Sequence, residues 1–137
     1  MKFPAHVNLV VVGVDNYQPE GIELGLIETS DGFSLTEAKL EYGKKSYDVA
    51  RDLIKKYIDI TSFKRHLLVL SPARFVDGPD RYPDALLQDI ALIYKVIIPL
   101  NACLKNDMQW IPLDQNIQNK TFCKDHLNII NIALQNG

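Results

Sequence analysis

Aspartates crowd one stretch of the chain: Asp77, Asp80 and Asp84 fall close together and Asp89 follows shortly after. Carboxylate oxygens at that density can gather a hard cation, or they can simply solvate a loop. Arg81 stands among them, between Asp80 and Tyr82. Its guanidinium can take a phosphate through paired N–H donors or stack on a base. It can equally pin its own loop through Asp77, Asp80 or Asp84. His126 follows Asp125, a pairing that suits acid–base work. It lies on an apolar stretch with no nucleophile placed beside it, so a structural histidine is expected. Cys103 and Cys123 lack metal-ligand spacing and read as reduced thiols acting as small apolar fillers.

The chain that must position these groups has 137 residues, 15 basic and 17 acidic, for a net charge of −2. With 47% hydrophobic and 23% charged residues it has the composition of a soluble globular protein. Its length suits a single domain over 1–137 with a core of its own. A protein that neutralises nucleic-acid phosphates usually carries a basic excess, so no direct nucleic-acid binding is expected. No apolar stretch approaches the ~20 residues that span a bilayer. The N-terminal Met-Lys-Phe-Pro-Ala-His is not a signal peptide. A cytoplasmic protein without a membrane partner is the expectation.

Hydrophobic periodicity supplies the elements. Val7 to Val14 is a nearly continuous β-branched run, as in a strand covered on both faces. After a turn at Asp15 to Gly21, a second strand runs from Ile22 to Glu28 and closes a hairpin. Lys45 to Tyr57 is amphipathic at helical spacing: Tyr47, Val49, Ala50, Leu53, Ile54 and Tyr57 share one face, and Arg51, Asp52, Lys55 and Lys56 the other. His66 to Leu70 reads as a short strand ended by Ser71-Pro72. A surface loop of the kind that carries function follows at Asp77 to Asp84. Strands are expected at Asp89 to Ile98 and, on an edge, at Met108 to Leu113, with a last helix over Thr121 to Gln135. Leu53 and Trp110 are expected in the core. Helices alternating with strands and hairpins imply a mixed, helix-covered sheet.

Four segments, taken in order, resemble the Nudix family. Phe33-Ser34-Leu35-Thr36-Glu37-Ala38-Lys39-Leu40-Glu41-Tyr42-Gly43-Lys44 is similar to the loop W-S-L-P-G-G-F-V-E-x-G-E leading into the Nudix box, and the likeness runs ungapped to Asp59-Ile60. Asp80-Arg81-Tyr82-Pro83 resembles a D-R-D-P loop, with Tyr82 and then Asp84 in place of an acidic and a basic residue. Gln109-Trp110-Ile111-Pro112-Leu113 resembles a late W-x-P-L element. Asp125-His126-Leu127-Asn128-Ile129-Ile130 with Ala133-Leu134 resembles the D-H-x-x-I-I…A-L of the last helix. The resemblance implies a Nudix-like α/β/α sandwich, α+β in class, with a mixed and partly antiparallel sheet. The branch it points to holds ADP-ribose pyrophosphatase-like enzymes and the ligand-sensing domains of Nudix-related transcriptional regulators.

The box itself departs from the family. A working box reads G-x5-E-x7-R-E-U-x-E-E-x-G-U, U being aliphatic, and its glutamates hold Mg²⁺ across a pyrophosphate. In the ungapped register the two glycines become Glu37 and Ala38, and the first glutamate becomes Lys44. The Arg-Glu pair becomes Asp52-Leu53, the Glu-Glu pair Lys56-Tyr57, and the glycine Asp59; Ile54 and Ile60 stay aliphatic. A shift by one residue matches Arg51-Asp52 to Arg-Glu but drops Lys55 and Lys56 onto the metal glutamates. An ammonium offers Mg²⁺ no oxygen and repels it, so no metal cofactor is expected at the box.

Those lysines can instead hold a phosphate as point charges, or they can be a solvated helix face with Asp52 and Lys56 paired. By resemblance, the loop with Asp80, Arg81 and Tyr82 borders the ligand pocket. The expectation is a catalytically inactive domain that binds a nucleotide or phosphorylated sugar, ADP-ribose-like, through Lys44, Lys56, Asp80, Arg81 and Tyr82, as a sensor. The alternatives are a hydrolase of nucleoside diphosphate derivatives using other metal ligands, and a protein-interaction module with a vestigial pocket. Related regulators carry a winged helix after the last helix, whereas this chain stops at Gly137, so it is expected to act alone or through a partner. Pairing of two copies is left open.

Overall fold

The computed structural model describes residues 5–15, 18–78 and 89–135. Its centre is β1 (Ala5–Asp15), which runs parallel to β7 (Asp89–Pro99) in register from Ala5↔Ile90 to Val14↔Pro99. The other edge of β1 is shared. Its second half pairs antiparallel with β2 (Gln18–Thr29) at Val11↔Gly25, and its first half pairs with β4 (Thr36–Lys39) at His6↔Lys39. The short β3 (Gly32–Ser34) folds back on β2 and leads straight into β4. α1 (Ser46–Tyr57) and the short β5 (Ile58–Asp59) follow. β6 (Val69–Gly78) lies antiparallel on β7. β8 (Cys103–Leu104) pairs with β5, β9 (Met108–Pro112) lies antiparallel on β2, and α2 (His126–Leu134) closes the described chain. The sheet is mixed, as expected.

Alternation along β1 builds two cores. Val7, Leu9 and Val11 pack on one face with Val49, Ala50, Leu53 and Ile54 of α1. Val10 and Val12 pack on the other with Leu24, Leu26 and, from α2, Ile129, Ile130 and Ala133. The layering is helix, sheet, helix. Each such side chain, fully buried, adds about 1.5–3 kcal/mol of favourable transfer energy. α1 carries Asp48 in its first turn and Lys55 and Lys56 in its last, the polarity its dipole favours. It stops where Ile58 turns extended to pair with Leu104. No helix of the described residues is long and apolar enough to cross a membrane.

Several expectations need correcting. Residues 65–67 form a 3-10 turn, and the strand expected at His66 to Leu70 starts at Val69 and runs on to Gly78. Ser71-Pro72 does not end it, because the β6–β7 register shifts between Ser71 and Arg74 and leaves the proline outside the regular ladder. The last helix starts at His126 and not at Thr121. The preceding backbone is spent on Phe33, whose N–H donates to Thr121 O and whose O accepts from Cys123 N–H, both at 2.8 Å. Cys103 is exposed and Cys123 half-buried, so the first is no core filler. Leu53 is buried, whereas Trp110 is only partly covered and packs over the bare backbone of Gly13.

Candidate ligand-binding face

The packing of α1 bears on the two box registers. In the ungapped one the aliphatic positions are Ile54, which is buried, and Ile60, which packs against the same core. In the shifted one Asp59 would take an aliphatic position. Its carboxylate instead accepts from the Thr61 N–H and hydroxyl at 3.0 and 2.6 Å, and those bonds hold its pKa below the ordinary value. Leu53, the aliphatic position of the shifted register, is as buried as Ile54, so Asp59 alone weighs for the ungapped register.

Its carboxylate positions then have definite environments. Leu53 is buried in the core. Lys44 and Lys56 are exposed, and Tyr57 is half-buried with Lys56 Nζ 5.3 Å from its ring centroid. A hydrocarbon, two ammonium groups and a phenol offer no carboxylate oxygen, so this face does not fit the Mg²⁺ of a working box. Among the described residues, no three His, Cys, Asp or Glu side chains gather as a metal-binding group.

Of the expected ligand contacts, the described residues include Lys44 and Lys56. Leu40 N–H donates to Ala5 O at 2.8 Å just after β4 ends, and Ala5 pairs with Ile90 beside the Gly78↔Asp89 pair. The turn carrying Lys44 thus leaves the sheet at the end where β6 stops and β7 starts. Asp80, Arg81 and Tyr82 lie outside the described residues, as does Asp84. Asp77 and Asp89 sit on the backbones of β6 and β7, opposite Ile90 and Gly78. Lys56 is in the last turn of α1, so roughly 15 Å of helix axis separates it from the residues preceding the first turn. The helix does not carry Lys44 and Lys56 to a single point.

On the opposite face of the sheet, Glu37 stands in place of a box glycine and organises a polar cluster. Asn8 is its cross-strand partner, and Asn8 Nδ2 donates to Glu37 Oε2 at 2.9 Å. Lys124 Nζ donates to Glu37 Oε1 at 2.5 Å. His126 is fully buried, and its Nδ1 accepts from the Leu35 N–H at 3.1 Å. That acceptor role leaves the ring proton on Nε2, which lies 3.4 Å from Glu37 Oε2. Burial alone would raise the Glu37 pKa. The bonds from His126, Lys124 and Asn8 outweigh it and hold the carboxyl well below the usual range. His126 is a structural residue, as its sequence context implied. Sequence reasoning missed its partnership with Glu37, because the bonds of Phe33 to Thr121 and Cys123 and of Leu35 to His126, between distant segments, bring these residues together.

Also missed was a cationic group formed by Arg51, Lys55 and Arg65, which line a cleft beside α1. The i, i+4 spacing of Arg51 and Lys55 was the one visible signal.

No family model and no curated sequence matches the chain. Solved structures do. The Nudix domain of Shewanella oneidensis NrtR, complexed with ADP ribose, is 16% identical with a TM-score of 0.71, over 99% of this chain and 89% of that one. A bifunctional NMN adenylyltransferase/ADP ribose pyrophosphatase from Francisella tularensis, complexed with AMP and a Mn ion, is 20% identical with a TM-score of 0.75, over 99% of this chain and 42% of that one. The Escherichia coli dihydroneopterin triphosphate pyrophosphohydrolase is 14% identical with a TM-score of 0.68, over 97% of this chain and 96% of that one. This chain therefore spans less than half the length of the Francisella protein. The likeness is one of fold: the chain is a Nudix-like α/β/α sandwich, similar to ADP-ribose pyrophosphatase domains and to NrtR.

Proposed function

We propose that this Nudix-like domain binds an ADP-ribose-like ligand, a nucleotide or phosphorylated sugar, without hydrolysing it, and serves as a sensor. One observation carries the reading: the box positions that should present carboxylates to a metal present a buried Leu53, the exposed Lys44 and Lys56, and Tyr57. Metal-assisted attack on a pyrophosphate needs oxygen ligands to hold the cation and ready the water. These side chains supply none, while two of them supply positive charge for phosphate oxygens. The ADP ribose held by the NrtR Nudix domain, on the same fold, supports the choice of ligand class.

In this reading Lys44 meets the phosphates at the sheet end where β4 gives way to α1, and Asp80, Arg81 and Tyr82 are further ligand contacts. Lys56 meets the distal part of an elongated ligand along α1. No metal cofactor takes part.

A thermal-shift panel of ADP-ribose, nucleoside diphosphates and sugar phosphates tests binding, since a ligand selective for the folded state raises the melting temperature by mass action. The same ligands, incubated with Mg²⁺ or Mn²⁺, test for turnover. A shift with ADP-ribose and no release of phosphate or nucleoside monophosphate is expected. Robust metal-dependent release would make the protein a hydrolase with other metal ligands and sink the sensor reading.

A further inference from the structure

α1 has a second flank, turned away from Asp52 and Lys56. There Ile54 of the helix meets Leu68 and Leu70 from the chain entering and starting β6, and the three form the floor of a cleft of about 100 Å³. Tyr47 and Phe63 supply aromatic walls. Ile60 lines it too, and so do Arg51, Lys55 and Arg65, all three of them exposed.

The charge of that lining is one-sided. No carboxylate is among the lining residues, although the chain as a whole has a net charge of −2. The Arg51 guanidinium lies 5.9 Å from the Tyr47 ring centroid, so an aromatic face and not a carboxylate is its neighbour. Three cations lining an apolar hollow, with no carboxylate lining it among the described residues, complement a ligand that has an apolar body and an anionic head.

Size and lining narrow the ligand class. A cavity of ~150 Å³ is known to take benzene, so this cleft of about 100 Å³ has room for at most a single ring or a chain of a few carbons. The floor offers few polar atoms with which to read the edge of a nucleobase. Two arginines and a lysine lining one cleft suit a dianionic head that can accept paired N–H donors, which favours phosphate over carboxylate.

We propose that this cleft is a binding site for a phosphate monoester of a short aryl or alkyl alcohol. It is separate from the box face of α1, and it stands whether or not ADP-ribose binds there.

Phenyl phosphate is the probe, titrated into the full chain by calorimetry and by chemical-shift mapping of Phe63 and Leu68. Inorganic phosphate, phenol, benzoate and ADP-ribose are the comparisons. Phenyl phosphate is expected to bind about tenfold more tightly than inorganic phosphate, phenol or benzoate. Arg51→Ala and Arg65→Ala, at exposed positions, are each expected to weaken it about tenfold, the scale of one charge-assisted hydrogen bond. ADP-ribose is expected not to displace it. Equal binding of inorganic phosphate would reduce the cleft to a patch of charge. Equal binding of phenol or benzoate, unchanged affinity in both arginine variants, or displacement by ADP-ribose would each overturn the assignment.

Discussion

Lys124 and Glu37 lie 87 positions apart in sequence and 2.5 Å apart in space, Nζ to Oε1. Lys124 reaches that position from a left-handed backbone, with φ of 52°, just before α2 begins. Glu37 answers from β4. The contact therefore ties the sheet layer to the α2 layer, and Asn8 and His126 complete the group around the same carboxylate.

Glu37→Gln keeps the shape and removes the charge. It should cost about 1–3 kcal/mol, the range for hydrogen bonds to a charged group, measured by urea denaturation at pH 7. The pH dependence has a definite sign. Glu37 has a depressed pKa in the fold, so its stabilisation is fully present above the unfolded value near 4.5 and drains away as pH falls toward the lower folded value. Wild type and Glu37→Gln should differ most near neutrality, and the gap should narrow steadily as pH falls below about 4.5. A gap that stays constant from pH 7 to pH 3 would mean the carboxylate charge is not what stabilises this corner.

Gly13 and Trp110 make a second test. A Cβ on Gly13 would fall 2.7 Å from the outer carbons of the Trp110 ring and 2.6 Å from Leu100. An indole cannot yield as a flexible side-chain tip can. Gly13→Val should therefore expel the ring and destabilise by roughly 1–3 kcal/mol, as overpacking does. Trp110 is the single tryptophan, so a red shift of its emission in the folded variant reports the expulsion. An unshifted spectrum with unchanged stability would refute the packing described here.

Much of the layer order was legible because burial is periodic. The β-branched run from Val7 reads as a strand covered on both sides and the apolar stretch of Asp89 to Ile98 as a further strand, and the spacing of Val49, Ala50, Leu53 and Ile54 set the phase of α1. Boundaries were legible only where the chain punctuates itself. Ser71-Pro72 looked like a stop, yet a register shift on β6 absorbs the proline. Thr121 to Cys123 looked helical, yet its backbone is claimed by Phe33. The site was harder still. The loss of box carboxylates can be read from residue types alone, but Glu37 meeting His126, or Arg65 lining one cleft with Arg51, depends on the approach of distant segments that no local pattern records.

Leu53→Ala tests the phase in which α1 lies on the sheet. Leu53 is 5% exposed and packs in the α1 core. Its truncation should cost about 2–5 kcal/mol, read as a lower denaturation midpoint at unchanged slope. A loss within about 0.5 kcal/mol, the scale of an ordinary surface site, would put a different residue of α1 under the sheet.

Lys56 carries the last test, because charge reversal there separates a phosphate contact from a solvated side chain. The side chain is exposed, with Nζ 5.3 Å from the Tyr57 ring centroid. If it meets ligand phosphate, Lys56→Ala removes an attraction, whereas Lys56→Glu adds a repulsion. The glutamate variant should bind ADP-ribose less tightly than the alanine variant by about fivefold, near 1 kcal/mol for an exposed charge. The same change restores one box glutamate. Added Mg²⁺ should then recover part of the lost affinity in Lys56→Glu and leave wild type and Lys56→Ala unaffected. Turnover should not return, because Leu53 and Tyr57 still occupy neighbouring carboxylate positions. Calorimetric titration of ADP-ribose into the three proteins, with and without Mg²⁺, reads all of this. Equal affinities throughout would leave Lys56 a surface residue and remove it from the binding face.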